Sequence, residues 1–211
     1  MSFEAVIFDM DGTLWDSAKS VAAAWNKVLS EMENVDITLT EADIKGVMGL
    51  PMDVIAEKLF ATGDEALDRE IMDRCGEYEN VYLRKQGGAL FDKLEETLDA
   101  LSKTHRLFIV SNCQSGYIEA FLDYYGFGKY FEDHACWGDN ELPKSENIRL
   151  ICERSGITPQ DALYVGDTQG DCDSAYSAGT RFAFAAYGFG TVDRCDLRLE
   201  RISDLINAVT A

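Results

Sequence analysis

The sequence predicts an α/β fold: a Rossmann-like, doubly wound parallel sheet into which an all-helical block is inserted. Three observations carry this expectation. The apolar run Ala5 to Phe8, with Val6 and Ile7 at its centre, has the composition of a short buried strand. From residue 16 to residue 85 the periodic stretches are helical, with no convincing strand. After Gly87-Gly88, short apolar runs alternate with amphipathic ones, the pattern of a parallel sheet with right-handed crossovers. The sheet domain is therefore expected to comprise residues 1–15 and 86–211, and the helical block residues 16–85.

Each element has its own signal. Val21, Trp25, Val28, Leu29 and Met32 recur at spacings of three and four and define the first helix, with Asp16 and Ser17 as candidate caps. Thr40-Glu41-Ala42-Asp43 resembles a capping box opening a second, short helix. Gly46, Gly49 and Pro51 break the pattern before a third helix through Val54, Ile55 and Leu59. A longer charged helix is expected from Asp64 to Lys85. Beyond the glycine pair, helices are expected at Leu94–Leu101, Tyr117–Tyr125, Ser145–Glu153, Asp173–Ala178 and Asp204–Val209. Gly126, Gly156 and Gly179 follow three of them as stop signals. Strands are expected at Leu107–Val110, Ala135–Trp137, Leu163–Val165 and Phe182–Ala185.

The chain has 211 residues, 46% of them hydrophobic, which is enough for a sizeable core and argues against disorder. Its net charge of -19 repels nucleic acid and anionic membrane surfaces, so neither is expected as a partner. No apolar run approaches the ~20 residues needed to span a bilayer. None of the six cysteines forms a C-x-x-C pair, and Met1-Ser2-Phe3-Glu4 lacks the basic and apolar regions of a signal peptide. Free thiols and a cytoplasmic location are expected. Scattered cysteines and only two histidines, His105 and His134, argue against a zinc site.

Polar residues gather where the expected strands end. Asp9 and Asp11 follow the first strand, and Ser111-Asn112 follow the strand through Val110. Gly166-Asp167-Thr168-Gln169-Gly170-Asp171 follow Val165, and Lys144 stands where a loop enters a helix. In a parallel sheet the carboxyl ends of the strands share one edge, so these groups should meet in one crevice. Two neighbouring acids repel each other unless a divalent cation or a split of roles accommodates them. The residue types fit phosphoryl transfer from a monoester. A carboxylate can attack phosphorus, a second acid can carry the proton, and a hydroxyl, backbone amides and a lysine can hold the phosphoryl oxygens. Each group also has a plainer reading. Asp9 and Asp11 could form a solvated turn, Ser111-Asn112 an ordinary turn, Lys144 a solvated lysine and Asp171 a helix N-cap.

With Asp9-Met10-Asp11-Gly12-Thr13, Ser111-Asn112, Lys144 and Gly166 to Asp171 in this order, the chain resembles the haloacid dehalogenase superfamily, of the phosphoglycolate phosphatase-like kind. The resemblance covers nearly the whole chain, the helical block standing where that family inserts a helical cap. It implies that Asp9 is the nucleophile and a magnesium ligand. It makes Asp11 the general acid and base, with its backbone carbonyl also on the metal. Ser111, Asn112 and Lys144 would bind the phosphoryl group, and Asp167 would ligate magnesium with Asp171 completing or orienting the site. A small phosphorylated metabolite is the implied substrate, phosphoglycolate the first guess, and a monomer or homodimer the expected assembly.

Three functions remain open at this point: a magnesium-dependent phosphatase, a phosphomutase that returns the phosphoryl group to a sugar, and a non-catalytic phospho-ligand-binding regulator. A calcium loop fails, because Leu14 and Ser20 stand where an EF-hand needs Gly and Glu. Within the helical block, Gly46 to Pro51 is the expected recognition loop, and Lys45 a candidate contact to a substrate anion or else a surface lysine. Tyr187-Gly188-Phe189-Gly190 either flanks the pocket or is a plain loop. Trp15 either lines the cap entrance or packs beneath it; Thr13 is expected to be structural, and Cys113 and Cys172 to be buried fillers.

Overall fold

The first strand, β1 (Ala5–Phe8), is buried along its whole length, as a strand with parallel neighbours on both sides must be. The computed structural model describes residues 3–210. A two-residue strand, β2 (Trp15–Asp16), leads into four helices: α1 (Ala18–Leu29), α2 (Glu41–Lys45), α3 (Met52–Leu59) and α4 (Glu65–Gln86). The chain returns through β3 (Ala89–Leu90), which pairs antiparallel with β2, Trp15 opposite Leu90 and Asp16 opposite Ala89. Both crossings into the helical insertion thus run side by side as a narrow ribbon. Tyr125 pins this ribbon, donating its hydroxyl to the Gly88 carbonyl at 2.7 Å.

The rest alternates as expected: α5 (Leu94–Leu101), β4 (Arg106–Ser111), α6 (Tyr117–Tyr125), β5 (Asp133–Cys136), α7 (Trp137–Asn140), α8 (Lys144–Ser155), β6 (Ala162–Gly166), α9 (Gln169–Ala178), β7 (Arg181–Ala185), β8 (Leu197–Leu199) and α10 (Asp204–Thr210). One six-stranded parallel sheet results, in the order β5-β4-β1-β6-β7-β8. The chain builds outward from β1 in one direction and then in the other. That is a doubly wound sheet, and its switch point lies beside β1.

Alternate side chains on each strand serve two cores. Val6, Phe8, Leu107, Ile109, Leu163 and Val165 face a core continuous with that of the helical insertion. Ala5, Ile7, Phe108, Val110, Tyr164 and Phe182 face α8 and α9, packing on Ile148, Ile151 and Ala175. Each large apolar side chain buried in this way contributes roughly 1.5–3 kcal/mol relative to exposure. Among the described residues no helix is long and apolar enough to cross a membrane.

Several boundaries differ from expectation. Helix α9 starts at Gln169, four residues before Asp173, because Thr168 caps it in a capping box closed by Asp171. Helix α8 starts on Lys144 itself, after Pro143. Strand β5 ends at Cys136, and Trp137 opens the short α7. The strands β2, β3 and β8 are two or three residues long, too short to carry periodicity.

Candidate active site

Register brings the chemistry together. Phe8 pairs with Ile109 on one side and Val165 on the other, so the residues after each strand emerge along a single edge. Asp9 follows β1, Ser111 ends β4 and Asp167 follows β6; all three are buried. Lys144, the first residue of α8, reaches in from below. Its ammonium lies 2.8 Å from Asp9 Oδ1 and 2.6 Å from Asp171 Oδ1. Lys144 is only 4% exposed and Asp9 2%, so this ion pair is shielded from solvent. Burial alone would lower the ammonium's pKa, but the charges of Asp171 and Asp9 outweigh it and hold Lys144 well above its ordinary value.

Asp171 uses both carboxylate oxygens. Oδ2 accepts from the Thr168 amide at 3.0 Å, its hydroxyl at 2.7 Å and the Asp167 amide at 3.2 Å. Burial would raise Asp171, but Lys144 and Thr168 outweigh it and keep its carboxyl below the ordinary aspartate range. Asp171 is therefore not the N-cap of α9. It is the third residue of the helix, closes the capping box and, at the same time, anchors Lys144.

Asp9, Asp167 and Asp171 each bring a carboxylate oxygen within 4.8 Å of the others. One lysine faces three carboxylates. Burial, followed by the charge of Asp171, pushes Asp167 up to about 7. Burial and the same neighbouring acids push Asp9 well up despite Lys144. Asp167 Oδ2 accepts from the Phe189 amide at 2.7 Å, while its buried Oδ1 has no partner. An orphaned carboxylate oxygen in an acid-rich cluster with a charge deficit suits a hard divalent cation that takes oxygen ligands. Gly12, at φ +80°, lets the loop after β1 lie directly on the Asp167 carboxylate, where a Cβ would collide.

Asp11 turns away from this trio. Its Oδ1 accepts from Ser17 Oγ at 2.6 Å and Tyr117 Oη at 2.7 Å. Burial pushes Asp11 up to about 6, against the pull of these two hydroxyls. Ser17 stands at the N-cap of α1 but makes no cap bond; its hydroxyl serves Asp11 instead. Asp16 accepts from the Ala18 amide at 3.1 Å, so of the two candidate caps only Asp16 caps.

A cavity of about 50 Å³, room for a few waters, separates Asp9, Asp11 and Ser111 from the helical insertion. Asn112 lines it and donates from Nδ2 to the Gly49 carbonyl at 2.9 Å. That bond ties the end of β4 to the loop Gly46 to Pro51, and Val47, Met48, Gly49 and Leu50 of this loop line the cavity. Lys45 does not line it. Its ammonium is held by Asp16 and Glu41, each at 2.8 Å, and lies over the Phe189 ring. The surface reading of Lys45 therefore stands, because two carboxylates on the outer side claim its charge.

Other residues fall on one side of their alternatives. Tyr187 to Gly190 flanks the site: the Phe189 amide binds Asp167, and Tyr187 donates to the Thr13 carbonyl at 2.9 Å. Trp15 packs, fully buried, against Tyr117 and Phe121. Cys113 and Cys172 are buried, and burial pushes both thiols up, away from reactivity. Three cavity or site residues had no signal as such in the sequence: Ser17, Tyr117 and Glu79. Glu79 sits in the buried stripe of α4 with Ile71, Cys75 and Leu83. An acid at spacing four in an otherwise apolar stripe was the available clue.

Residues 6–185 match a family model described as haloacid dehalogenase-like hydrolase. The phosphoglycolate phosphatase of Escherichia coli (strain K12) is 31% identical over 232 aligned residues, covering 97% of this chain and 91% of that protein. A haloacid dehalogenase-like family hydrolase from Streptococcus pneumoniae superposes with a TM-score of 0.83 at 20% identity, covering 98% of each chain. The β-phosphoglucomutase of Clostridium difficile superposes with a TM-score of 0.74 at 18% identity, covering 96% of this chain and 93% of that one. The likeness to these two structures is one of fold.

Proposed function

The chain belongs to the haloacid dehalogenase-like hydrolase family, and we propose that it is a magnesium-dependent phosphatase acting on a small phosphorylated metabolite through an aspartyl-phosphate intermediate. The observation that carries this reading is Lys144 bridging Asp9 and Asp171 beside the partnerless oxygen of Asp167. The Asp9 and Asp167 carboxylates and the Asp11 backbone carbonyl would hold magnesium, with Asp171 completing or orienting the set, and the ion would supply positive charge to the phosphoryl oxygens.

The side chains then divide the work. Lys144 holds Asp9 Oδ1, which leaves Oδ2 to attack phosphorus and form the acyl phosphate. Ser17 and Tyr117 hold Asp11 Oδ1, which leaves Oδ2 to protonate the leaving oxygen and later to deprotonate water. Ser111 and the amides around Met10, Asp11 and Asn112 hold the phosphoryl oxygens, and Lys144 balances their charge. Residues 16–85 act as a cap on the sheet domain formed by residues 1–15 and 86–211. Closed over the edge of the sheet, the cap excludes water until the leaving group departs. The protein works in the cytosol, where its cysteines, all free among the described residues, stay reduced.

Phosphate release from a panel of small phosphate esters tests the proposal. Asp9→Asn should lower kcat at least about a thousandfold with the fold intact by circular dichroism. A chelator should stop turnover, and added magnesium should restore it. Near-normal turnover by the Asp9 variant ends the proposal. Isomerisation of a hexose 1-phosphate without phosphate release would instead identify a mutase.

A further inference from the structure

The cavity has two chemically different ends. One holds Asp9, Asp11 and Ser111. The other is walled by the helical insertion, with Trp25, Met52, Ile55 and Glu79, and by Gln114 from the sheet domain. Among the described residues lining the cavity there is no lysine, arginine or histidine. Its only ionisable carboxyl groups are those of Asp9, Asp11 and Glu79.

Glu79 is 3% exposed, and its Oε2 accepts from Trp25 Nε1 at 2.5 Å. Gln114 also bonds to it, and Gln114 Nε2 is shared with Asn80 Oδ1 at 3.3 Å. These partners fix the carboxyl group against the cavity and place no cation on it. Burial pushes it up to about 8. At neutral pH it therefore keeps its proton and can both donate to and accept from a hydroxyl.

Resting on the phosphatase reading above, we propose that Glu79 and the cation-free wall around it select a phosphate ester whose leaving group donates hydrogen bonds and carries no negative charge, and disfavour one that bears a carboxylate. A hydroxyl on the leaving group would exchange bonds to water for bonds to Glu79 and Gln114. A carboxylate there would lose its water to a wall that carries no cation of its own. One hydrogen bond from a protonated Glu79 does not replace a cation. 2-Hydroxyethyl and aminoethyl phosphate are nearly the size of phosphoglycolate, so size alone does not separate the three esters.

Steady-state kinetics on the full chain with magnesium test this, using 2-hydroxyethyl phosphate, O-phosphoethanolamine and 2-phosphoglycolate as probes of nearly equal size. p-Nitrophenyl phosphate serves as a reporter of general phosphatase activity. kcat/KM for the hydroxyethyl and aminoethyl esters should exceed that for phosphoglycolate at least about tenfold. Glu79→Gln should narrow the hydroxyethyl-to-phosphoglycolate ratio by at least about threefold. Gln114→Arg, which adds a cation to the same wall, should narrow it further and reads the wall independently if the Glu79 variant fails to fold. Phosphoglycolate as the best of the three, equal rates or no turnover for all three, or ratios unmoved by both substitutions would overturn the inference. If p-nitrophenyl phosphate is still hydrolysed in those cases, the phosphatase reading survives. No hydrolysis of any ester, or an Asp9→Asn variant as active as the parent, removes the phosphatase reading and this inference with it.

Discussion

Replacing Tyr117 with phenylalanine removes one of the two hydroxyls that Asp11 Oδ1 accepts. A hydrogen bond to a charged group is worth about 1.5–3 kcal/mol, so kcat should fall roughly tenfold to a hundredfold with KM little changed. A stopped assay with Tyr117→Phe checks this, and an unchanged kcat would show that Ser17 suffices. Glu79 makes a second prediction, on stability. Its carboxyl rises from the ordinary 4.5 to about 8 on folding, with burial the main cause. Below about pH 4.5 both states are protonated and the stabilisation is complete. Between about 4.5 and 8 the folded state keeps a proton that the unfolded chain releases, so stability declines as pH rises and levels off above 8. Glu79's share should amount to a few kcal/mol, and Glu79→Gln should remove that share in urea melts from pH 5 to 9 and leave the part owed to Asp9, Asp11 and Asp167. The same residues explain what the sequence concealed. Asp9, Asp11, Lys144 and Asp167 were legible because each stands beside a strand end or a helix entry in a fixed order. Ser17 looked like a cap and Tyr117 like a helix face. Their use depends on α1 and α6 meeting Asp11, a tertiary fact.

At the level of elements, the strands β1, β4, β6 and β7 were readable because burial on both faces makes them continuously apolar. The sequence pattern starts helix α9 four residues late, because its opening turn is also the acidic loop of the site. Asp171 closes the capping box and grips Lys144 with the same carboxylate, so local helix formation and site assembly are one event. The loop after α2 carries the next prediction. Gly49 adopts φ +82°, and a Cβ there would lie 3.4 Å from the Thr168 methyl. Gly49→Ala should cost about 1–2 kcal/mol of backbone strain. Because the Gly49 carbonyl is held by Asn112, the strain should fall on closure of the insertion over the sheet. KM is expected to rise severalfold while kcat changes less. An unaltered KM would separate this loop from substrate capture.

For the whole molecule, charge outweighs every other surface property. At -19, the surface repels every phosphate ester that approaches it. Exposed charges are screened over about 10 Å at 0.1 M salt, so raising sodium chloride from about 20 to about 200 mM should lower KM for a dianionic ester. A rising KM would point to a local positive funnel that the charge count conceals. This long-range behaviour was fully legible in composition. The ribbon of β2 and β3 was not, since two-residue strands leave no pattern.

That ribbon makes the whole helical insertion the loop of one hairpin, because Asp16 and Ala89 face each other across it. Loop closure entropy grows only slowly with length, so the cost of closing the hairpin changes little with what hangs between those two residues. The insertion is in effect a plug-in module. Descent could shorten, lengthen or exchange it and so redirect the enzyme toward a different ester, while Asp9 and Lys144 stay untouched. The modularity has limits: Ser17 lies just inside the graft boundary, so any replacement must bring its own hydroxyl for Asp11, and its loop must meet Asn112 as Gly49 does.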